Sequence, residues 1–320
     1  MQGTKPRSIR ALVTGGAGFI GSNLVEGLLA QGAQVTVLDN LVSGYAANLR
    51  GLTGVRFLRG DVRDPRDVDE AIRGCDTVFH LAASVGNGRS IDRPLEDAST
   101  NVMGTLQVLE ACRAYGVRKL VFSSSAAVYG EQRTLPIRED HIAEPDSPYG
   151  AGKLGAEKAC LAYAKVHGIE AVCLRYFNVY GPGQRFDNEG CVIPIFVSRL
   201  LRGDGITVFS DGEQTRDFVN VHDVVQANLR AAEARGIWGV FNVGSGTRLS
   251  INGLATQLGR MMGNVPRLTY ASPRRGEVRN CLADISAARV AFGYDPRVSL
   301  SQGLAEYVAW AESDLQLVAA

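Results

Sequence analysis

Between residues 13 and 24 the chain reads VTGGAGFIGSNL, with glycine at 15, 16, 18 and 21. A strand pattern, IRALVTGG, leads into this stretch, and a helical pattern, GFIGSNLVEGLLAQG, leaves it and ends at Gly32. Glycines spaced G-x-G-x-x-G (16, 18, 21) and G-x-x-G-x-x-G (15, 18, 21) between a strand and a helix allow a tight turn. They also let the backbone approach a pyrophosphate, which then sits at a helix N-terminus. A glycine triplet alone is weak. Here Asp39 closes the next strand, AQVTVLDN, at the distance where a carboxylate accepts from the adenosine ribose hydroxyls and repels a 2′-phosphate. The loop therefore predicts a dinucleotide site, with NAD favoured over NADP.

The pattern around the loop sets the fold class. Strand-like VRFLRGDV, DTVFHLAA, VRKLVFSSS and IEAVCLRYFNVYG alternate with helical DPRDVDEAIRGC, EDASTNVMGTLQVLEACRAYG and SPYGAGKLGAEKACLAYAKVHG. Such alternation indicates βαβ units and an α/β fold, a Rossmann-type doubly wound parallel sheet. After about residue 180 the character changes to a polar loop, GPGQRFDNEG, a helix, VIPIFVSRLLRG, and short strands and turns in ITVFSDGEQTRDFVNVHD. We expect residues 1–179 to form the dinucleotide-binding domain, with segments near 218–245 returning to it. Residues 180–320 would form mainly a smaller, interleaved substrate lobe.

Composition narrows the function class. A chain of 320 residues can bury a large core, and 45% hydrophobic with 21% charged residues is ordinary for a globular protein. The formal net charge is +1 and no basic block stands out, so no electrostatic footprint for nucleic acid or an anionic membrane is present. No apolar run approaches the roughly 20 residues needed to span a bilayer. MQGTKPRSIR leads straight into the glycine loop and not into a signal-peptide core. Six cysteines (75, 112, 160, 173, 191, 281) include no C-x-x-C pair, and the four histidines lack metal-ligand spacing. A cytoplasmic protein without a metal is expected, its cysteines mostly free core thiols.

Tyr149 and Lys153 form Y-x-x-x-K, a spacing that puts both side chains on one helix face. Tyr115 and Lys119 match it too, but Tyr115 precedes Gly116 at a helix end and Lys119 opens the strand KLVFSSS. Ser147 and Pro148 supply an N-cap and a first helical position for the second pair alone. A tyrosine with an ordinary pKa near 10 needs roughly 4 kcal/mol of phenolate stabilisation to act as a base near pH 7. The Lys153 ammonium and a nicotinamide's positive charge are the means available.

The glycine loop, Asp39, GDV (60–62), HLAA (80–83), FSSSAAVYG (122–130), YGAGK (149–153) and RYFNVYGPGQ (175–184) together resemble the extended short-chain dehydrogenase/reductases. RDFVNVHDV (216–224) and RRGEVRNCLAD (274–284) carry the likeness over nearly the whole chain. Within that group it is most similar to the nucleotide-sugar 4-epimerases of the UDP-galactose 4-epimerase type. The resemblance implies NAD-dependent epimerisation of a UDP-hexose through a 4-keto sugar, with Tyr149 as base, Lys153 tuning it, and Ser125 on the 4-hydroxyl. It places Gly15, Gly18, Phe19, Ile20 and Gly21 on the cofactor with Asp39, Asn40 and Gly44. Asp61, Val62, Leu81, Ala82, Ala83, Ser123 and Tyr176 complete that set beside Tyr149 and Lys153. Asn178, Arg216 and Arg274 would grip the diphosphate of the UDP-sugar, with Val192, Val208 and Cys281 also on the substrate. It further implies a homodimer paired through the helices near 97–115 and 149–167.

The two alanines inside FSSSAAVYG discriminate among relatives. The 4,6-dehydratases place Asp and Glu after the Ser/Thr to act as acid and base. Ala126 and Ala127 can do neither. The UDP-xylose-forming decarboxylases keep a Glu at the second place, and uronate 4-epimerases tend to carry hydroxyls there. Two positions depart from or qualify the family pattern. Asn87 stands where a small apolar residue is usual. Cys281 falls at a gate beside the sugar's C2 substituent, where a small residue leaves room for an N-acetyl group, so that UDP-GlcNAc and UDP-GalNAc become candidate substrates. The alternatives are a nucleotide-sugar reductase or dehydrogenase with exchangeable NAD(P), and a dinucleotide-sensing regulator, which would typically lack the Tyr/Lys pair this chain keeps.

Overall fold

The computed structural model describes residues 9–185, 191–263, 265–273 and 278–319, the last five by their backbone. The first half runs β1 (Arg10–Thr14), α1 (Phe19–Ala30), β2 (Gln34–Asp39), β3 (Val55–Arg59), α2 (Pro65–Ile72), β4 (Thr77–His80), α3 (Asn87–Asp92), α4 (Pro94–Ala98), α5 (Thr105–Ala114), β5 (Lys119–Ser125), α6 (Pro148–His167) and β6 (Glu170–Tyr176). The second half runs β7 (Asn178–Tyr180), α7 (Val192–Leu201), β8 (Ile206–Phe209), β9 (Thr215–Arg216), β10 (Phe218–Asn220), α8 (Val221–Glu233), β11 (Gly239–Val243), β12 (Leu249–Ser250), α9 (Ile251–Met261), β13 (Leu268–Ala271), α10 (Ser286–Phe292) and α11 (Leu300–Ala319).

Seven strands form one sheet in the order β11-β6-β5-β4-β1-β2-β3, every pair parallel. The α/β doubly wound architecture expected from the sequence is present. Strand side chains alternate between faces, and the two faces collect two clusters. Ala11 and Val13 of β1, Val121 of β5 and Val172 and Leu174 of β6 pack with α1 and α8. Their neighbours Leu12, Leu120, Phe122, Ala171 and Cys173 pack with α2, α5 and α6. A third cluster joins α7, α9 and α11 around Phe196, Val208, Leu254, Leu258 and Leu304. Three further two-stranded pairs, β10 with β7, β12 with β9 and β13 with β8, lie outside the main sheet. No helix among the described residues is long and apolar enough to cross a membrane.

The strand order reverses between β1 and β4, and in open parallel sheets the crevice at such a switch point, beyond the carboxyl ends of the strands, receives ligands. Two elements differ from the sequence pattern, and both differences lie at that edge. The long helix expected before β5 is interrupted by a π-helical stretch, Ser99–Gly104, between α4 and α5. There the Asn101 amide accepts from Ser84 N at 2.9 Å and donates to Ser84 O at 2.9 Å, tying the widened turn to the loop after β4. The strand expected over 169–181 changes partners instead of continuing. Phe177 N still bonds Val243 O of β11, whereas Asn178 N bonds Asp217 O, so β7 leaves the main sheet to pair with β10.

Helix α6 begins as its sequence dictates: the Ser147 side chain accepts from Gly150 N at 3.2 Å, Pro148 takes the first turn, and Gly168 ends it at φ 70°. A buried ion pair fixes the helix to the sheet. Glu157, fully buried, accepts from Arg175 of β6 at 2.6 and 2.9 Å and from Ser124 Oγ of β5 at 2.9 Å. The Arg175 guanidinium stacks 4.6 Å from the Tyr129 ring. Removing one partner of such a pair leaves a buried uncompensated charge, so Glu157→Ala is predicted to cost about 3–5 kcal/mol of unfolding free energy. Urea denaturation of the variant against the wild type measures it, and a loss below about 1 kcal/mol would show that the pair behaves as an exposed one.

Candidate active site

The glycine loop lies at the carboxyl end of β1 with the geometry that its sequence requires. Gly15 has φ +72°, and a Cβ there would stand 2.7 Å from Ala82 N. A Cβ on Gly21 would run into Gly15 O, so the loop closes on the first turn of α1 only with glycine at that place. Gly18 caps α1 without a side-chain bond, and no acidic residue occupies the first turn. Phe19 and Ile20 open the helix, while Leu81 N and Ala82 N bond back to Thr14. The loop, Leu81, Ala82 and Ala83 thus line one end of the sheet.

Asp39 ends β2 beside this loop. Its carboxylate accepts from Ala17 N at 2.9 Å and from Leu41 N at 2.8 Å. A carboxylate has about four acceptor positions, so two remain. A Cβ on Gly44 would lie 3.0 Å from both Asp39 oxygens, which keeps that residue a glycine. One strand further, Asn40 Nδ2 bonds Asp61 Oδ2 at 2.9 Å, and Arg63 grips the same carboxylate at 2.7 Å. The Arg63 guanidinium holds the Asp61 carboxyl well below the usual range, against the opposing effect of partial burial. Val62 packs beside it in the core.

The catalytic candidates come together where β5 meets α6. Lys153 is 2% exposed, and its Nζ donates to Ser123 O at 2.8 Å. The same Nζ lies 5.1 Å from the Phe122 ring centroid and 6.0 Å from that of Tyr149. Burial lowers the Lys153 pKa to about 8. Ser125 Oγ accepts from Ala127 N at 3.1 Å and lies near Tyr149. Burial pushes Tyr149 up to about 12, with Ser125 pulling the other way. The protein's own groups therefore leave Tyr149 protonated at neutral pH, whereas the sequence argument aimed for a value near 7. Tyr115 and Lys119 form no such pair: Tyr115 ends α5, and Lys119 is buried on Ala234 O, Ile237 O and Glu170.

Gly150 on α6 is explained by a close approach within the protein, whereas at Gly152 a Cβ would meet only ordinary contacts. A Cβ on Gly150 would strike Ala127 O, and one on Gly152 would stand 3.4 Å from Asp97 Oδ2. Ala126 and Ala127 form a tight 3₁₀ turn after Ser125, and their methyl groups bring no acid or base to it.

Several polar residues that shape the site were not singled out from the sequence. His80, at the end of β4, links Thr14 Oγ1 at 2.7 Å to Thr105 Oγ1 at 3.0 Å, and Thr105 Oγ1 donates to Asn101 O at 2.7 Å. With Ala82 N donating to Thr14 Oγ1, the pattern assigns the proton to His80 Nε2. Burial lowers the His80 pKa to about 3, so the ring stays neutral. Polar residues interrupting apolar runs in VTGG, FHLAA and NVMGTLQV were the available signal. Asn87 is also accounted for: its Oδ1 accepts from Ser147 Oγ at 3.0 Å, tying α3 to the N-cap of α6.

The remaining expected residues are spread over the second half. Tyr176 ends β6 opposite Ser125, with its hydroxyl buried on Asn228 Oδ1 at 2.9 Å. Asn178 Nδ2 donates to Asp217 O at 3.3 Å, and the Arg216 guanidinium donates to Thr215 O at 2.9 Å. Val192 opens α7. The Val208 side chain is packed inside the third cluster. Cys281 is buried in the first cluster beside the Arg216 charge, with its N on Thr215 O at 3.1 Å, and burial pushes its thiol up to about 12. Arg274 lies outside the described residues.

Comparison with known proteins matches this chain over residues 11–244 to the NAD dependent epimerase/dehydratase family. The chain is 39% identical over 310 residues to the UDP-glucose 4-epimerase of Mycolicibacterium smegmatis, covering 94% of this chain and 97% of that one. The crystal structure of UDP-glucose 4-epimerase from Thermotoga maritima with UDP-glucose is 39% identical and superposes with a TM-score of 0.91, covering 96% of this chain and 100% of that one. The UDP-N-acetylglucosamine 4-epimerase from Methanobrevibacter ruminantium in complex with UDP-N-acetylmuramic acid is 34% identical with a TM-score of 0.92, over 97% and 100% of the two chains.

The state of Tyr149 is testable without any substrate. In protein freed of small molecules, alkaline titration followed by tyrosinate absorbance should show no difference between wild type and Tyr149→Phe below about pH 10. A difference appearing near neutral pH would mean that the protein alone makes the phenolate.

Proposed function

Because the chain belongs to the NAD dependent epimerase/dehydratase family, we propose that it interconverts the C4 epimers UDP-glucose and UDP-galactose through a transient 4-keto sugar. It is an isomerase, and its cofactor is NAD. The observation that carries the proposal is the meeting of Tyr149, Ser125 and Lys153 at a turn whose next two residues are alanines.

The residues at the sheet edge fit the cofactor. The glycine loop leaves no room for a Cβ at 15 or 21, α1 presents an uncapped N-terminus to a pyrophosphate, and Asp39 keeps acceptor capacity for ribose hydroxyls. When bound, NAD⁺ would supply a reversible hydride acceptor for C4 of the sugar and a positive charge within the site.

The chain's own residues position and move the proton. Ser125 Oγ and Tyr149 Oη, near each other, would converge on a single sugar hydroxyl, the 4-OH. Tyr149 takes that proton as C4 is oxidised and returns it after the ring has turned. Lys153 keeps a positive charge near the phenol, and its bond to Ser123 O prevents it from swinging away. Burial raises Tyr149 to about 12, so the phenolate needs the positive charge that a bound cofactor would add to that of Lys153. Proton abstraction is therefore tied to the loaded site. A dehydratase reading would also require a group to expel the C6 hydroxyl, and Ala126 and Ala127 offer none.

The second lobe would hold the UDP moiety through Asn178, Arg216, Arg274, Val192 and the backbone at Val208. Cys281, small and beside Arg216, would leave space for an N-acetyl group at C2, extending the substrates to UDP-GlcNAc and UDP-GalNAc. Two copies would pair through α5 and α6, on which Tyr115, at the end of α5, and Val166 are exposed.

Incubation of the purified protein with UDP-galactose and no added cofactor should give UDP-glucose to equilibrium, and Tyr149→Phe should lower kcat by roughly 10²–10⁴-fold. Absence of conversion with or without added NAD would overturn the proposal. For the substrate range, Cys281→Tyr should depress turnover of UDP-GalNAc while sparing UDP-galactose. Equal rates on both would remove the role of Cys281.

A further inference from the structure

We propose that Asp97 is a positioning residue that holds Lys153 in its ammonium form and acts on Tyr149 through it, an inference that rests on the Tyr149–Lys153 reading above. Asp97 is the fourth residue of the short helix α4 and is 1% exposed. Its Oδ2 faces the backbone of α6 at Gly152, 3.4 Å from where a Cβ would stand, one residue before Lys153. Its Oδ1 has no partner at hydrogen-bonding geometry. A buried carboxylate with one oxygen left so is open to pairing with a nearby charge, since buried charges are ordinarily paired.

Lys153 presents the complementary problem. Its Nζ is buried on a carbonyl and an aromatic face, and no carboxylate lies within ion-pair distance among the described residues. Asp97 is the charge that most favours the Lys153 ammonium against burial. The groups facing the two residues are few. Ser84 from the loop after β4, Asn101 from the π-helical turn and Arg89 from α3 act on Asp97 and favour its charged form, while burial raises its pKa. His80 from β4, neutral, and Cys160 and Tyr149 from α6 face Lys153. Asp97 also disfavours the Tyr149 phenolate directly, a smaller effect there than burial or Ser125.

The test reads Lys153 itself. The chain has five lysines, so ¹³Cε-labelled lysine gives a simple spectrum in which Lys153 is assigned by its loss in Lys153→Met. The Lys153 resonance should titrate at least about one pH unit lower in Asp97→Asn than in wild type. Asp97→Glu should restore the midpoint. Asp97→Ser, which keeps a hydroxyl toward Ser84 and Asn101, is the second variant if the amide fails to fold, and it should also lower the midpoint. In turnover, the alkaline limb of the kcat profile should move to lower pH in Asp97→Asn with KM unchanged. An unmoved Lys153 midpoint in both variants overturns the inference. An acid limb that moves down while the Lys153 resonance stays put also overturns it, because that pattern means a direct effect on Tyr149. The titration needs no turnover, so a failed UDP-sugar assay would count against the proposed reaction and leave this result to stand alone.

Discussion

The bond from Lys153 Nζ to the Ser123 carbonyl fixes the relation between β5 and α6, on which the candidate chemistry depends. Taking an ammonium out of water is costly, and the protein accepts that cost only because the carbonyl, the Phe122 ring and the Asp97 charge surround it. The buried Arg175–Glu157 pair holds the same helix one turn further along, and Ser147 with Asn87 holds its start. Three separate anchors thus set the height of Tyr149 above Ser125. A shift of one of them by an ångström would separate hydroxyls that have to share a proton.

A second set of bonds carries this order across the sheet. Thr14, His80, Thr105 and Asn101 form a continuous hydrogen-bonded line from the end of β1 to the π-helical turn. It runs between the glycine loop and the loop that Ser84 and Asn101 fasten together. A neutral imidazole suits that place because it donates at one nitrogen and accepts at the other. The dinucleotide end and the proton-transfer end of the site are in this way built on one rigid edge.

Much of this was legible in the sequence. The period-two strands, the glycine spacing and the Ser-Pro start of α6 are local signals, and local signals decide which elements form. Tyr149 and Lys153 were separable from Tyr115 and Lys119 because helix ends are written in Gly and Pro. The rest depends on contacts between distant segments. Nothing near Asp97 in PLEDA announces that it lies against Gly152, and nothing in RYFNVYG marks Phe177 as the point where β6 gives way to β7. The same holds for Tyr149, whose elevated pKa follows from burial in the folded chain. Asn87 looked like a departure from the pattern, and the structure makes it a support for the helix cap.

The central claim is that the hydrogen removed from C4 returns to C4, with the two alanines after Ser125 leaving C5 and C6 untouched. Single-turnover reaction of UDP-galactose carrying deuterium at C4 tests this most directly. The account predicts UDP-glucose with the deuterium retained at C4. Deuterium found at C6 of a 4-keto product, or lost from the sugar into a released reduced cofactor, would contradict it.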